Sequence, residues 1–292
     1  MTKAIVGVIG GSGVYHLPGL TDLREETFPT PWGDPSDSLR FGRVGSTEAV
    51  FLARHGRGHR FSPSSINYRA NVDALKRVGV TDIIALSACG SFHRELYPGV
   101  FVMIDQFLDR TYLRQSSFFG TGCVAHVSMA HPIAPLLRRR LLAAAEAEGI
   151  PCRDGGTYVC IEGPQFSSFA ESIRHQSQGA DVIGMTGATE AKLAREAEIP
   201  YATVAMVTDY DCWHEEHGAV DVAAVLKVAH ENADKAAALV ARALRDFPAE
   251  HEACPAGSDR ALDFAVITQP EYRDPELVKK LDAVGGRVLR RG

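Results

Sequence analysis

The chain has 292 residues, of which 45% are hydrophobic and 23% are charged, so it is long and apolar enough to bury a sizeable core and disorder is excluded. Its 31 lysines and arginines against 36 aspartates and glutamates give a net charge of -5, which does not indicate nucleic-acid binding. Six cysteines without a Cys-x-x-Cys pair predict free thiols in a reducing compartment. The apolar run before Gly10 is too short for a signal sequence or a membrane span, so we expect a cytoplasmic protein that binds no membrane.

The first predicted strand, residues 4–9, runs directly into a glycine-rich turn. In Gly10-Gly11-Ser12-Gly13 the backbone N–H groups can approach an anion closely, and Ser12 adds a hydroxyl donor. The turn completes neither Gly-x-Gly-x-x-Gly nor the Gly-Lys-Ser/Thr ending of a P-loop. A tight turn without a ligand therefore stays open as an alternative.

Two short alternating runs, residues 38–43 and 49–53, predict a hairpin whose second strand ends in Arg54 and His55. The guanidinium of Arg54 is a permanently charged fork suited to phosphate, and His55 can donate from one ring nitrogen. The alternative for His55 and His59 is a loop or surface pair. We expect no metal, because no third ligand at a plausible spacing accompanies the two histidines.

Further predicted strands also end in small or hydroxyl-bearing residues. The strand at residues 81–87 ends in Ser87-Ala88-Cys89, where Cys89 is more simply a small buried thiol than a nucleophile. The strand at residues 181–185 is followed by Thr186. Other elements are a strand at 100–107, a strand at 156–161 leading to Phe166 and Ser167, and helices at 67–78, 134–149, 189–197 and 222–245.

The strand at residues 201–207 leads to two carboxylates, Asp209 and Asp211, which an extended chain would project to the same side. One interpretation is a helix cap or a loop salt bridge. The other is acid–base chemistry, since open α/β sheets place ligands just beyond the carboxyl ends of their strands.

Strands alternate with helices along the chain, which predicts an α/β fold with a mixed, largely parallel sheet flanked by helices. No repeat or linker divides residues 1–292, so we expect a single domain. The role of a C-terminal extension from about residue 246 stays open.

The sequence resembles the purine nucleoside phosphorylase superfamily, and within it the 5'-methylthioadenosine phosphorylases. Eight separated motifs carry the resemblance and occur in the order found in the family: Ile9-Gly-Gly-Ser-Gly13, Leu52-Ala-Arg-His-Gly56, Asn67-Tyr-Arg-Ala-Asn71, Ala88-Cys-Gly-Ser91, Ile104-Asp-Gln-Phe107, Ile161-Glu-Gly-Pro-Gln-Phe-Ser-Ser168, Gly184-Met-Thr186 and Thr208-Asp-Tyr-Asp-Cys-Trp213.

The resemblance implies phosphorolysis of 5'-methylthioadenosine to adenine and 5-methylthioribose 1-phosphate, with phosphate as co-substrate and no other cofactor. It implies a phosphate site at Ser12, Arg54, His55, Ser87, Ala88 and Thr186. It places Met185 under the ribose and Phe166, Ser167, Asp209 and Asp211 around the purine. Phosphate is a weak nucleophile, so catalysis should come from holding it in line and from protonating the leaving purine by Asp209, its pKa raised by burial beside a second acid.

Specificity and assembly also follow from the resemblance. An aspartate can accept from the 6-amino group of adenine, whereas related enzymes for 6-oxopurines commonly carry asparagine at the first acidic position. We therefore expect adenine rather than hypoxanthine, with Ser167 and Val222 contributing to specificity and Val222 lining an apolar 5' pocket. His126 and Ile267 match positions that reach a neighbouring subunit's site, which implies a homotrimer or a dimer of trimers.

Three alternatives stay open from the sequence. A broader adenosine or purine nucleoside phosphorylase would differ only in the 5' pocket. A hydrolase would use water instead of phosphate, against which the cluster of anion-binding side chains argues. A non-catalytic nucleoside-binding protein could share the fold.

Overall fold

An eleven-stranded sheet forms the centre of the protein, seen in a computed structural model that describes residues 2–11, 17–214 and 222–290. The strands are β1 Ile5–Gly10, β2 Leu20–Glu26, β3 Leu39–Val44, β4 Thr47–Ala53, β5 Asp82–Ser91, β6 Phe101–Met103, β7 Gln106–Asp109, β8 Cys152–Asp154, β9 Thr157–Cys160, β10 Val182–Gly184 and β11 Tyr201–Asp209. The helices are α1 Tyr68–Arg77, α2 Pro135–Ala147, α3 Phe169–Ser177, α4 Gly187–Glu196, α5 Val222–Arg245, α6 Pro275–Lys280 and α7 Gly286–Leu289. This confirms the predicted mixed α/β fold.

The long strand β5 organises the sheet because it pairs with three other strands. Its first half lies parallel to β1 and, along most of its length, it lies parallel to β11. Its last residues pair antiparallel with β10, which continues through β9 to β7. The hairpin of β3 and β4 extends the sheet beyond β1, and β2 forms that edge. The carboxyl ends of β1, β4, β5 and β11 therefore lie at one edge of the sheet.

Two predicted strand boundaries are wrong. The strand predicted to end at Ser87 continues to Ser91, because β11 and β10 supply hydrogen-bonding partners along its full length. The strand predicted over residues 100–107 is divided between β6 and β7. The division falls where the Gly156 carbonyl accepts from the N–H groups of both Asp105 and Gln106. Strands β2 and β8 and helix α3 were not predicted.

Local sequence signals account for several helix starts. The Asn67 side chain accepts from the Ala70 N–H and caps α1. A reciprocal capping box of Ser168 and Glu171 begins α3, and Pro135 occupies the first turn of α2, where its missing N–H costs no hydrogen bond. None of the described helices is long and apolar enough to cross a membrane.

The C-terminal extension packs on the same core as the rest of the chain. It buries Leu262, Leu281 and Val284, each at most 1% exposed. Arg287 of α7 donates from Nε and Nη2 to the buried Glu198 carboxylate at 2.7 and 2.5 Å. These contacts attach the extension to the loop that follows α4.

His251 joins the extension to the start of β5. Its Nδ1 lies 3.0 Å from Asp82 Oδ2 and its Nε2 lies 3.6 Å from Asp259 Oδ2. The interactions with Asp259 and Asp82 raise the pKa of His251 from 6.5 to about 9. The folded structure therefore stabilises the protonated form of His251 relative to the unfolded chain.

This raised pKa predicts a pH-dependent stability. The His251 contribution is fully present below pH 6.5 and is lost as the pH rises through about 9. We expect His251→Asn to lower the unfolding free energy by about 1–2 kcal/mol at pH 6, allowing for solvent screening, and by much less at pH 10. Denaturant titrations of both proteins across this range measure the difference. An equal difference at both ends would contradict the prediction.

Candidate active site

The predicted phosphate-binding residues begin at the carboxyl ends of β1 and β4, which lie side by side. Gly10 and Ala53 are register partners, and the Arg54 N–H donates to the Gly10 carbonyl at 2.9 Å. The last residue of β1 and the start of the Arg54-His55 segment are therefore neighbours. Ser12, the predicted hydroxyl donor of the glycine-rich turn, lies outside the described residues.

Arg54 is buried and forms a two-point ion pair with Glu190 of α4. Its Nε donates to Glu190 Oε1, its Nη2 donates to Oε2 at 3.0 Å, and its Nη1 donates to the Leu86 carbonyl at 2.8 Å. Burial alone would lower the pKa of Arg54, but the charge and hydrogen bonds of Glu190 raise it. Three of the five guanidinium N–H groups are thus engaged, which leaves two for another acceptor.

His55 is held as a neutral ring. Its Nδ1 lies 2.9 Å from the Phe61 carbonyl, which can only accept, so Nδ1 carries the proton. Burial, and then the charge of Arg54, lowers the pKa of His55 to about 4. Nε2 therefore carries a lone pair near pH 7, and this nitrogen can accept from a phosphate hydroxyl. The sequence suggested that His55 donates, but Phe61 takes that donor.

Ser87 and Ala88 lie inside β5, beside the end of β10. The Ser87 hydroxyl lies 3.1 Å from the Tyr158 hydroxyl, and a Cβ at Gly184 would overlap the same Tyr158 group. Glycine at position 184 is thus required for this close approach. Ala88 is the one exposed residue of β5, so the strand is accessible at this position.

Thr186 occupies the N-cap position of the ten-residue helix α4, but its side chain makes no capping hydrogen bond. The first N–H groups of a helix lack internal acceptors and carry a partial positive charge, so this end of α4 can bind an anion. Met185 immediately precedes it. The Met185 sulfur packs against Gly163, where a Cβ would lie 2.5 Å from Sδ, so Met185 also meets the turn that leads to Phe166 and Ser167.

Asp209 lies at the end of β11 and is held by three neighbours. Its Oδ1 accepts from the Asp211 N–H at 2.8 Å, and its Oδ2 accepts from the Thr208 hydroxyl at 2.7 Å. A Cβ on Gly90 would lie 2.7 Å from Oδ1. Burial raises the pKa of Asp209, and the nearby Asp211 acts in the same direction. The carboxyl therefore holds a proton to higher pH than an ordinary aspartate.

The two acids do not share one side of an extended strand, which corrects the geometry expected from their spacing. Asp211 has φ of 51° and lies in a turn, where the Asp209 side chain accepts its N–H. Aspartate tolerates this left-handed conformation better than most residues. The turn, rather than β-strand alternation, brings the two carboxyls together.

Asp211 is buried close to Ser167 and Ser172. Burial raises the pKa of Asp211, and the hydroxyls of Ser172 and Ser167 counteract this rise. Asp211 Oδ2, Ser167 Oγ and Ser172 Oγ are buried close together, and none of these three atoms makes a hydrogen bond of standard geometry with the described residues. Buried polar atoms are nearly always paired in folded proteins, so these atoms are suited to the polar edge of a ligand. Phe166, 43% exposed, presents an apolar surface beside them.

The remaining predicted residues lie on exposed surface. The His126 N–H donates to the Ala265 carbonyl at 2.9 Å, and the Ile267 N–H donates to the Val124 carbonyl at 3.0 Å. The exposed His126 and the 60%-exposed Ile267 therefore belong to one short paired segment. Val222 is 58% exposed at the first position of α5.

Several side chains at this site were not found from the sequence. Three of them are buried charged side chains: Glu190 pairs with Arg54, and Arg114 pairs with Glu162 and contacts Met185. A fourth, Thr208, contacts Asp209. Glu190 follows Thr186 by one helical turn, a spacing that could have indicated its inward direction. The position of Arg114 in a loop gave no comparable signal.

The arrangement combines an anion-binding end with an acidic end. Arg54 and the start of α4 provide positive charge, while Asp209 and Asp211 provide carboxyls with raised pKa values. A cation and an acid at one edge of a sheet can hold an anionic nucleophile and protonate a leaving group. The fold and this chemistry define a class of phosphorylase.

Comparison with known sequences gives the same result. A profile of the phosphorylase superfamily matches residues 5–245, and the chain belongs to this superfamily. It is 66% identical over 290 residues to S-methyl-5'-thioadenosine phosphorylase of Bradyrhizobium diazoefficiens, covering 99% of this chain and 100% of that protein. It is 57% identical over 288 residues to the enzyme of the same name from Cereibacter sphaeroides, covering 99% of both chains.

Solved structures agree with the sequence relatives. The fold matches the crystal structure of a methylthioadenosine phosphorylase from an Antarctic soil metagenomic library with a TM-score of 0.91 and 43% identity, covering 97% of this chain and 99% of that one. It also matches the Schistosoma mansoni methylthioadenosine phosphorylase in complex with adenine, with a TM-score of 0.79 and 40% identity over 82% of this chain and 91% of that one. The predicted family is confirmed.

Proposed function

We propose that the chain catalyses phosphorolysis of S-methyl-5'-thioadenosine. A phosphate oxygen forms a bond to C1' of the sugar while the C1'–N9 bond breaks and its electron pair passes to the purine. The products are adenine and 5-methylthioribose 1-phosphate. The observation that supports this most directly is the placement of a buried cation, Arg54, and a partly buried acid, Asp209, at the carboxyl ends of β4 and β11 at the same edge of the sheet. The named activity of full-length relatives also supports it.

The proposed phosphate site is formed by Ser12, Arg54, His55, Ser87, Ala88 and Thr186. Arg54 has two N–H groups left for phosphate after its bonds to Glu190 and Leu86. The α4 N-terminus and the free Thr186 side chain add donors. His55 supplies an acceptor for a phosphate hydroxyl, which favours HPO₄²⁻ over a fully ionised anion. The bound dianion stabilises positive charge that develops on the sugar.

Asp209 is the proposed acid. Because burial raises its pKa, the carboxyl can hold a proton and deliver it to N7 of the departing adenine, after which it regains a proton from solvent. Asp211 and Ser167 are proposed to bind the polar edge of the purine, since their buried side-chain oxygens make no hydrogen bond of standard geometry with the described residues. Phe166 contacts the base and Met185 the ribose. The reaction requires phosphate as co-substrate and no metal or organic cofactor.

The 5' pocket is the proposed origin of specificity. Val222 and Leu226 are one helical turn apart on α5 and are 58% and 53% exposed, so they present an apolar strip on the surface of this helix, which we propose to border the 5' position of the nucleoside. A methylthio group would be favoured there over a hydroxyl, although a hydrophobic pocket rejects a hydroxyl only weakly. Ser167 contributes to the choice of base.

We also propose a homotrimer, or a dimer of trimers, in which His126 and Ile267 reach a neighbouring copy's site. Their joint exposure on one paired segment supports this assembly. So does the exposure of Phe264, which is 99% accessible beside the same segment.

Base release from methylthioadenosine, adenosine and inosine, each with and without phosphate, tests the function. We expect release that depends on phosphate and an efficiency with methylthioadenosine about 10–200-fold above that with adenosine, the range for one apolar contact. Inosine should be the poorest substrate, because its 6-oxo group offers no donor to the carboxyl at the first acidic position, Asp209. Equal rates with adenosine would indicate a broader adenosine phosphorylase. Release without phosphate would overturn the proposed anion site.

A further inference from the structure

Arg114 is a second buried arginine in this region, and its hydrogen bonds differ from those of Arg54. Its side chain is 1% exposed. Nε donates to Glu162 Oε1 at 3.2 Å, and Nη2 donates to the carbonyls of Glu162 and Ile161 at 2.7 and 3.3 Å. Nη1 donates to the Met185 carbonyl and lies 3.3 Å from the Tyr68 hydroxyl and 3.4 Å from Thr189 Oγ1.

These contacts use all five guanidinium N–H groups of Arg114. Arg54, by contrast, has two N–H groups left over. Arg114 consequently has no donor to offer a phosphate or a nucleoside. Any effect it has on the reaction must pass through the groups that it holds.

The groups that Arg114 holds are the backbone carbonyls on both sides of the nucleoside part of the site. Met185 is the residue proposed to lie under the ribose. Ile161 and Glu162 begin the turn that carries Phe166 and Ser167, the residues proposed to contact the purine. The planar side chain of Arg114 thus fixes the distance between Met185 and the turn that carries Phe166 and Ser167.

Glu162 extends this connection to two more segments. Its Oε1 accepts from the Ser64 hydroxyl, and its Oε2 accepts from the N–H groups of Tyr112 and Leu113 at 2.7 and 3.2 Å. Burial acts to raise the pKa of Glu162, but these donors and Arg114 bring it below the usual value. The carboxylate is therefore charged, and the ion pair with Arg114 is complete.

We propose that Arg114 is a positioning residue that holds Met185 and the turn at 163–167 in the geometry required by the nucleoside. The inference rests on the proposed function, because it assigns Met185, Phe166 and Ser167 to the nucleoside. It predicts that a change at Arg114 weakens nucleoside binding more than phosphate binding. Arg54 and His55 are held by Glu190, Leu86 and Phe61 rather than by Arg114. Among the proposed phosphate-binding residues only Thr186 adjoins a group that Arg114 holds, so phosphate binding should be affected less than nucleoside binding.

The test is Arg114→Lys, which keeps the charge but replaces a planar fork of five donors by three donors on a flexible stem. A small displacement of a substrate-positioning group can cost about 10²-fold in rate, so we expect kcat/KM for methylthioadenosine to fall by about that factor. The KM for phosphate should change by less than about threefold. Equilibrium binding of adenine should weaken along with the nucleoside KM, since it needs no chemical step.

The matched control is Arg287→Lys, which weakens a comparable two-point pair with the buried Glu198 in the C-terminal extension. If Arg114 served stability alone, both variants would lose activity in proportion to their loss of melting temperature. Glu162→Gln is a second, milder variant for the case in which Arg114→Lys does not fold. It removes the charge partner but leaves the carbonyl contacts, and it should give a smaller loss of the same uneven kind.

The outcomes separate the two proposals. If the unaltered protein shows no phosphate-dependent base release, the proposed function fails. If it does, but Arg114→Lys raises both KM values equally, or leaves adenine binding unchanged, the positioning role is overturned. The positioning role is supported if Arg114→Lys weakens nucleoside binding more than phosphate binding, while Arg287→Lys has a small effect that is equal for both substrates.

Discussion

Replacing Asp209 with alanine is expected to lower kcat/KM for methylthioadenosine by about 10²–10⁴-fold, the usual contribution of a positioned general acid. The variant loses the group whose burial-raised pKa keeps a proton available for the purine. Phosphate binding should be retained, because the Arg54 side and the α4 N-terminus are unchanged. Steady-state assays with each substrate varied in turn measure both quantities.

The pH profile gives an independent check on Asp209. The protonated carboxyl is the active form, so kcat/KM should decrease as the pH rises through the raised pKa of Asp209. Asp209→Asn is the matched control, because its amide oxygen can still accept the Asp211 N–H and keep the turn. This variant should lack the alkaline decrease assigned to Asp209. Unchanged turnover in Asp209→Ala would exclude the acid role.

Replacing Arg54 with methionine is expected to lower both stability and phosphate affinity. The change leaves the Glu190 carboxylate buried without its cation, which typically costs about 3–5 kcal/mol. It also removes the two N–H groups proposed to bind phosphate. Hydrogen bonds to charged groups are worth about 1.5–3 kcal/mol each, so the phosphate KM should rise by at least tenfold.

A double variant separates the two effects of Arg54. In Arg54→Met/Glu190→Gln the buried charge is gone, while the new amide can still accept from the Tyr201 hydroxyl that lies 3.0 Å from Glu190. Denaturant titration should therefore show a recovery of stability relative to Arg54→Met. The phosphate KM should stay high. Recovery of phosphate affinity together with stability would show that Arg54 acts only as a structural partner of Glu190.

The number and spacing of the cysteines predicted that they would be free thiols. All six are free thiols in the structure, and four of them are buried. Burial raises the pKa of Cys89 well above its ordinary value, so it is a poor nucleophile at neutral pH. This agrees with its interpretation from the sequence as a small buried residue.

The sequence by itself determined the positions of several strands and helices and the family to which the chain belongs. Hydrophobic runs located β1, β4 and β11, and the Ala-rich stretch at residues 222–245 forms helix α5, which ends at Arg245 as predicted. Short motifs identified the family because the spacing of glycines, hydroxyls and charges along each motif is a local property. A single strand end with its neighbouring turn can therefore be interpreted without knowing what packs against it.

Only the tertiary structure decided how these groups are paired. Arg54 and Glu190 are 136 positions apart, and neither their ion pair nor the six contacts of Arg114 leave a periodic pattern in the sequence. The positive φ of Asp211 and the full length of β5 likewise depend on neighbouring strands. Charge state, tautomer and remaining hydrogen-bonding capacity follow from such long-range contacts, because each is set by the atoms that surround a group in space.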